Sequence, residues 1–268
     1  MIQIDDTTRT ALAETANALA DAARAATLRH FRAEGLMADN KAAGGFDPVT
    51  VADREAEAAM RAVLARMRPD DGIVGEEFDA TPGTSGLTWV LDPVDGTRAY
   101  LAGTPTWGVL IAVGDDAGPV LGLIDQPYIG ERFFGGFGAA VLTGPQGRRT
   151  LATRAPRPLS EAILFTTFPE VGTPADRSAF EALSRQVRLT RYGLDCYAYG
   201  LVAAGQIDLV VEAGLQAYDI QAPLAVIEAA GGIVTDWRGG PAHLGGRVIA
   251  AANAGVHDAA LAILSQAG

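Results

Sequence analysis

The stretch Trp89-Val90-Leu91-Asp92-Pro93-Val94-Asp95-Gly96-Thr97 runs an apolar strand directly into a group of acids and turn formers. Trp, Val and Leu suit a half-buried pleated strand, and Pro93 and Gly96 bend the chain immediately after it. With a turn at Pro93, Asp92 and Asp95 can converge on one point, and the Val94 carbonyl can aim into the same place. Gly96 lets backbone come close to a ligand, and the N–H groups of Gly96 and Thr97 suit a phosphate oxygen. Carboxylates, a carbonyl and a hydroxyl, without sulfur or imidazole, describe a site for a hard cation such as Mg²⁺ or Mn²⁺. Asp-x-x-Asp-Gly is equally the composition of an ordinary turn.

Two other segments carry acids in comparable settings. Gly75-Glu76-Glu77 follows a short strand at Gly72 to Val74, and Glu76 would add enough charge for more than one ion; Glu77 beside it reads as a solvated or supporting acid. Tyr218-Asp219-Ile220-Gln221-Ala222-Pro223 places an acid at a strand-to-helix junction, where α/β sheets bind ligands. Asp219 there also has the plain role of an N-cap, with Pro223 in the first turn or just beyond it. Asp53 likewise has a plain role, closing a capping box with Thr50.

Outward from these segments the chain divides into two rhythms. Residues 7 to 34 carry Leu12, Ala16, Leu19, Ala23 and Ala26 at three- and four-residue spacing, a long helix with Gly35 as its stop and His30 half-buried on its face. A glycine-rich turn from Ala42 to Pro48 leads to a second helix ending before Pro69, with Ala56, Met60, Val63, Leu64 and Met67 on its buried face. Short runs at 87–91, 107–113, 120–124, 132–134 and 139–142 leave no room for helices and predict an antiparallel meander. After Pro156, strands at 162–167, 187–191, 207–211, 233–235 and 247–251 alternate with helices at 175–186, 196–204, 219–230 and from His257, which predicts an α/β half with a largely parallel sheet. The stretch Arg148 to Pro158 is the best candidate for a boundary, separating residues 1–150 from an α/β half at 151–268. His243 and His257 read as surface residues.

Composition removes whole classes of function. In 268 residues, 32 acids against 21 bases give a net charge of -11 with no basic stripe, so neither nucleic acid nor an anionic membrane surface is an expected partner. The first ten residues lack the pattern of a signal peptide, and the apolar run Trp107 to Val113 is too short to span a bilayer, so a soluble cytoplasmic protein is expected. Cys196 is the single cysteine, which excludes an internal disulfide. No Cys or His cluster spells a zinc site. Lys41 is the only lysine and is followed by Ala42, which removes the P-loop; it sits where a base could face a metal-phosphate cluster or simply water.

Taken together, Gly75-Glu76-Glu77, Asp92-Pro93-Val94-Asp95-Gly96-Thr97, and Tyr218-Asp219 followed by Glu228-Ala229-Ala230-Gly231-Gly232 resemble the inositol monophosphatase family, Mg²⁺-dependent and lithium-sensitive phosphomonoesterases. Asp47-Pro48-Val49-Thr50-Val51-Ala52-Asp53 matches a fourth segment, and the motifs come in family order over nearly the whole chain. The resemblance implies an α+β / α/β protein folded as a layered α-β-α-β-α sandwich, and a homodimer. It implies that Glu76, Asp92 and the Val94 carbonyl hold one Mg²⁺ and that Asp92, Asp95 and Asp219 hold a second, with a third ion or Mn²⁺ substitution within its range. It implies that Asp53, Glu76 and Thr97 orient or activate the attacking water. The chemistry is coherent, because hydrolysis of a phosphate monoester is among the slowest uncatalysed reactions and requires charge neutralisation and an activated water.

Within the family, Asp95-Gly96-Thr97-Arg98-Ala99-Tyr100 and Tyr192-Gly193-Leu194-Asp195-Cys196-Tyr197-Ala198-Tyr199 look like the histidinol-phosphate phosphatase branch, as does Glu212-Ala213-Gly214-Leu215 ahead of Tyr218-Asp219. Leu194 departs from the branch's usual glycine. Asp195 and Glu212 are acids beyond those the metals need, and they suit a substrate that carries an ammonium and an imidazole; Arg98 is a third candidate substrate contact. Asp195 also reads as the cap of the helix that starts near Cys196. A small phosphate monoester is therefore the expected partner. An inositol or broad sugar and polyol phosphatase is the alternative among enzymes, and a silent metal- and phosphate-binding protein the alternative outside them.

Overall fold

The computed structural model describes residues 4–40 and 48–266, so Lys41 and the turn from Ala42 to Asp47 lie outside the described residues. Helix α1 (Asp6–His30) starts where Asp5 accepts from the Thr8 N–H at 2.7 Å, and it buries the expected stripe of Leu12, Ala16, Leu19, Ala23 and Ala26. It ends at His30 rather than running on to 34, because Phe31 turns inward to pack its ring 5.2 Å from both Tyr100 and Trp107. Strands β1 (Ala38–Asn40) and β2 (Pro48–Thr50) pair antiparallel. Helix α2 (Val51–Met67) opens on the expected capping box of Thr50 and Asp53. Met67, expected on its buried face, is 39% exposed, while Glu57 is fully buried.

Strands β3 (Gly72–Gly75), β4 (Thr88–Asp95), β5 (Gly108–Asp115), β6 (Gly118–Gln126), β7 (Glu131–Gly136), β8 (Ala139–Gly144) and β9 (Gly147–Thr150) form a seven-stranded sheet in chain order, with the short helix α3 (Thr97–Leu101) between β4 and β5. From β4 to β9 every pairing is antiparallel, as the meander predicts, and only β3 lies parallel to its neighbour. Period-two alternation sorts its side chains. Trp89, Leu91, Val109, Ile111 and Val113 pack on α1 and α2, while Val90, Leu110, Ala112, Ile124 and Phe133 face the other way.

The second sheet takes β10 (Ile163–Thr166), β11 (Leu189–Tyr192), β12 (Leu209–Leu215), β13 (Ile233–Asp236) and β14 (Gly246–Ala251) in the order β11-β10-β12-β14-β13. Its β11-β10-β12 part is parallel, but β14 runs antiparallel to both its neighbours. The expected largely parallel sheet is thus a mixed one: no helix intervenes between β13 and β14, so the chain lacks the crossover a parallel return needs. Helices α4 (Pro174–Ser184) and α7 (Ala254–Leu264) cover its outer face, and α5 (Asp195–Ala203) and α6 (Ala217–Ala229) fill the space between the sheets. The order is helix pair, sheet, helix pair, sheet, helix pair, an α-β-α-β-α sandwich. His257, expected at the surface, is 5% exposed on α7 because its ring bonds Thr235 of β13 at 2.8 Å; His243 is half-buried. Among the described residues no helix is long and apolar enough to cross a membrane.

One close approach sets the geometry that follows. Gly122 on β6 and Gly135 on β7 are cross-strand partners. A Cβ on Gly122 would lie 2.3 Å from the Ala222 carbonyl oxygen, and one on Gly135 would lie 2.4 Å from Val226 Cα. The backbone of α6 therefore rests directly on the sheet. Gly135→Val is expected to push α6 off this seat and cost about 2–4 kcal/mol, within the range of severe overpacking. Urea unfolding monitored by circular dichroism checks it; a midpoint equal to that of the unsubstituted protein would refute the seat.

Candidate active site

The register of β4 on β5 shifts between Asp92 and Asp95, at Pro93 and Val94. Proline has no N–H for the ladder, and the local bulge lets the Val94 N–H donate to Asp92 Oδ1 at 3.0 Å. Asp219 arrives from α6. It is not the N-cap expected of it: the helix starts two residues earlier, at Ala217, which makes Asp219 the third residue, with one oxygen accepting from the Gln216 N–H at 2.6 Å. Pro223 consequently lies inside α6. Oxygens of Asp92, Asp95 and Asp219 all fall within 4.8 Å of one another.

Such crowding has an electrostatic consequence. Burial, and then the charges of Glu76, Asp95, Asp219 and Asp53, push the Asp92 carboxyl well above the usual range. Burial and the charges of Asp195 and Asp219 do the same to Asp95, against an N–H bond from Cys196 at 2.5 Å. Asp219 is pushed up to about 6, chiefly by burial and against the Gln216 N–H. A divalent cation answers all of these at once: hard oxygen donors, converging and mutually repelling, fit Mg²⁺ or Mn²⁺.

Around this cluster stand the other expected residues. Asp53 is buried, and burial raises its pKa; its Oδ2 accepts from the Thr50 N–H at 2.8 Å and the Thr50 hydroxyl at 2.6 Å. The Thr97 hydroxyl lies 3.3 Å from Asp53 Oδ1 and 3.1 Å from the Val94 carbonyl, so these three form one polar chain. Gly96, in the left-handed region at φ 86°, turns β4 into α3. Glu76 follows β3 and is half-buried; its charge acts on Asp92. The loop bearing it is held by Glu57, which accepts from the Glu77 N–H at 2.7 Å while Arg61 holds its other oxygen at 2.8 Å. Glu57 went unnoticed in the sequence, although an acid between Ala56 and Met60 on an apolar helix face was the available signal.

A second acidic pair lies beside the first group. Asp195 is the first residue of α5, and its carboxylate fills the space a Cβ on Gly96 would need. It does not cap that helix; instead Thr106 Oγ1 donates to it at 3.3 Å. Burial raises it to about 6, against Thr106 and the charge of Arg98. Leu194, where the sequence departs from glycine, holds φ 79°, a left-handed conformation that glycine adopts without cost. Glu212 is 9% exposed on β12 and is clamped by Thr166 Oγ1 at 3.1 Å, the Thr167 N–H at 2.6 Å and Thr167 Oγ1 at 2.9 Å. Burial raises it to about 7, against those donors and with help from Asp195. Arg98 is exposed and stacks its guanidinium 4.9 Å from the Phe168 ring centroid; no motif had marked Phe168. Burial also pushes the Cys196 thiol up, which keeps it a neutral, non-nucleophilic group.

Comparison with known proteins identifies the family of the chain. The model of the inositol monophosphatase family matches residues 8–268. The bifunctional phosphatase IMPL2, chloroplastic, of Arabidopsis thaliana is 39% identical over 245 residues, covering 88% of this chain and 67% of that protein. The histidinol-phosphatase of Streptomyces coelicolor is 35% identical over 258 residues, covering 94% of this chain and 96% of that one. A solved inositol monophosphatase from Zymomonas mobilis superposes with a TM-score of 0.83 at 40% identity, over 94% of this chain and 96% of the other.

The raised carboxyls also make a statement about stability. Each binds its proton more tightly folded than unfolded, so the stability it contributes is present below about 3.9 and is lost as pH rises through its folded value. Asp195 and Asp219 at about 6 and Glu212 at about 7 place that loss between roughly pH 4 and 7. In EDTA, Asp219→Asn is expected to melt about 2–5 °C higher than the unsubstituted protein at pH 8, with the gap closing towards pH 4. Scanning calorimetry measures this. Equal melting temperatures at pH 8 would mean that the repulsion is not there.

Proposed function

This chain belongs to the inositol monophosphatase family and is a phosphoric monoester hydrolase, and from that premise we propose that it hydrolyses L-histidinol phosphate to L-histidinol and inorganic phosphate. Glu76, Asp92, the Val94 carbonyl, Asp95 and Asp219 would hold two or three Mg²⁺ ions, for which Mn²⁺ can substitute. The half spanning 1–150 supplies all of these except Asp219, which comes with the substrate contacts from the half spanning 151–268. Mg²⁺ bound there supplies charge neutralisation at the phosphoryl oxygens and the acidity that makes water a nucleophile at neutral pH.

The chain's own groups do the rest. The Thr97 hydroxyl, poised between Asp53 and the Val94 carbonyl, orients the attacking water and relays its proton towards Asp53, and Glu76 shares in activating that water. Water oxygen bonds to phosphorus as the ester P–O bond breaks, and the departing alkoxide takes up a proton from solvent water while Asp53 returns the proton it received to solvent. The N–H groups of Gly96 and Thr97 receive a phosphate oxygen.

One observation carries the substrate choice: Asp195, half-buried and acting on Asp95, and Glu212, buried and acted on by Asp195, supply negative charge beside the Asp92-Asp95-Asp219 cluster. An alcohol bearing an ammonium and an imidazole gives these acids partners, whereas a neutral polyol needs hydroxyl partners and no extra charge. The charge of Arg98, exposed beside Phe168, acts on Asp195. A second reading, hydrolysis of inositol or other polyol phosphates, is favoured by the 40% identity to the solved Zymomonas mobilis enzyme.

Phosphate release from histidinol phosphate and inositol 1-phosphate, side by side with Mg²⁺ and with EDTA, tests the reading. The expected result is a kcat/KM at least about tenfold higher for histidinol phosphate, and no release in EDTA; one charged hydrogen bond is of that size. Asp195→Asn should raise KM for histidinol phosphate about 10- to 30-fold and leave inositol 1-phosphate nearly unaffected. A preference for inositol 1-phosphate would overturn the substrate choice and leave the metal site standing.

A further inference from the structure

Phe168 lies two residues beyond the carboxyl end of β10 and is 44% exposed. Topology sets the place it occupies. β10 and β12 run parallel, with Leu164 beside Leu209 and Phe165 beside Val210. The chain leaves β10 for β11 through α4 and leaves β12 for β13 through α6, in opposite directions along the sheet and on opposite faces of it. The carboxyl ends of two such strands open a crevice, and α/β sheets bind their ligands there.

Three contacts tie Phe168 to that crevice. Its ring centroid lies 4.9 Å from the Arg98 guanidinium carbon, and Arg98 directly follows Thr97 on α3. Thr167, its chain neighbour, gives its N–H and its hydroxyl to Glu212 at 2.6 and 2.9 Å. The Thr167 carbonyl accepts from the Gly193 N–H at 3.1 Å, two residues before Asp195, and the Asp195 carboxyl carbon is 2.7 Å from where a Cβ on Gly96 would stand. The segment bearing Phe168 thus touches every element that carries a proposed substrate contact: α3 with Arg98, β12 with Glu212, and the chain entering α5 with Asp195.

Those three contacts are all charged, and none offers a flat apolar surface. A single exposed phenylalanine is ordinary on a protein surface; this one stands where the charged groups meet. Arg98 lies over one face of its ring, and the exposure leaves surface for a second partner.

We propose that Phe168 is a specificity-determining contact: its ring is the flat surface against which the substrate's imidazole stacks, while Asp195 and Glu212 meet the ammonium. The inference rests on the reading that the ester is histidinol phosphate. Paired aromatic rings attract beyond the area they bury, and the negative face of a phenylalanine also favours a protonated imidazole.

The test measures hydrolysis of histidinol phosphate and inositol 1-phosphate, with Mg²⁺, by the unsubstituted protein and by Phe168→Ala, Phe168→Leu and Phe168→Tyr. Phe168→Ala and Phe168→Leu should each raise KM for histidinol phosphate about 5- to 10-fold, the scale of one aromatic pair, with kcat changed less than about twofold. Phe168→Tyr keeps the flat face and should stay within about twofold. For inositol 1-phosphate, which has no aromatic ring, KM should move less than about twofold in all three. Melting temperatures should stay within about 2 °C, because an exposed side chain carries little of the core. If Phe168→Leu matches the unsubstituted protein on histidinol phosphate, or if the substitutions weaken both substrates alike, Phe168 does not read the imidazole; the inference is then wrong and the substrate reading stands. If the unsubstituted protein prefers inositol 1-phosphate, the substrate reading fails and takes this inference with it.

Discussion

Like charges held within 4.8 Å of one another inside a protein repel strongly, and the rest of this molecule is arranged to hold Asp92, Asp95 and Asp219 in that position. The N–H groups of Val94, Cys196 and Gln216 each hold one of the three carboxylates, but they do not remove the repulsion among them. The force comes from the apolar layers on either side. β4 lies inside the seven-stranded sheet with Trp89 and Leu91 buried in one core and Val90 in the other, which fixes the strand end that carries Asp92. Helix α6 is pressed onto β6 and β7 over the paired glycines Gly122 and Gly135, and that contact sets where Asp219 arrives. Packing thus holds like charges together at a site where a bound cation would offset their repulsion.

Helix starts are used twice in the same way. Asp53 and Asp219 are each the third residue of their helix, and each commits Oδ2 to the capping box at the N-cap backbone. A capping box orients a carboxylate as firmly as a salt bridge does, but it leaves the second oxygen for other use. In Asp53 that oxygen meets Thr97. Asp219 also contributes an oxygen to the acid cluster. The ordinary structural role and the chemical one are therefore not rivals at these positions; the first supplies the rigidity that the second needs.

Much of this was legible in the sequence because the informative residues are neighbours. Asp92, Val94, Asp95 and Thr97 sit in one turn, period-two alternation marked the strands on both sides of it, and cap residues marked α2 and the segment before α6. Features that depend on distant partners were not legible. Phe31 ends α1 because Tyr100 and Trp107 wait for its ring, some seventy residues away in the chain. His257 is buried with its ring hydrogen-bonded to Thr235. Glu57 sits on an apolar helix face where periodicity alone assigns it to packing, and only the folded chain shows it holding the Glu76 loop. The antiparallel β14 shows a different limit: the alternation of strands and helices was right up to α6, and the missing crossover after β13 reversed the last strand.

The most direct test of the central claim is anomalous scattering from crystals grown with Mn²⁺. The account requires manganese peaks about 2.0–2.3 Å from oxygens of Asp92, Asp95 and Asp219, with the Val94 carbonyl and Glu76 completing the coordination. Peaks elsewhere on the molecule, with these three carboxylates hydrogen-bonded to one another as neutral acids, would contradict it.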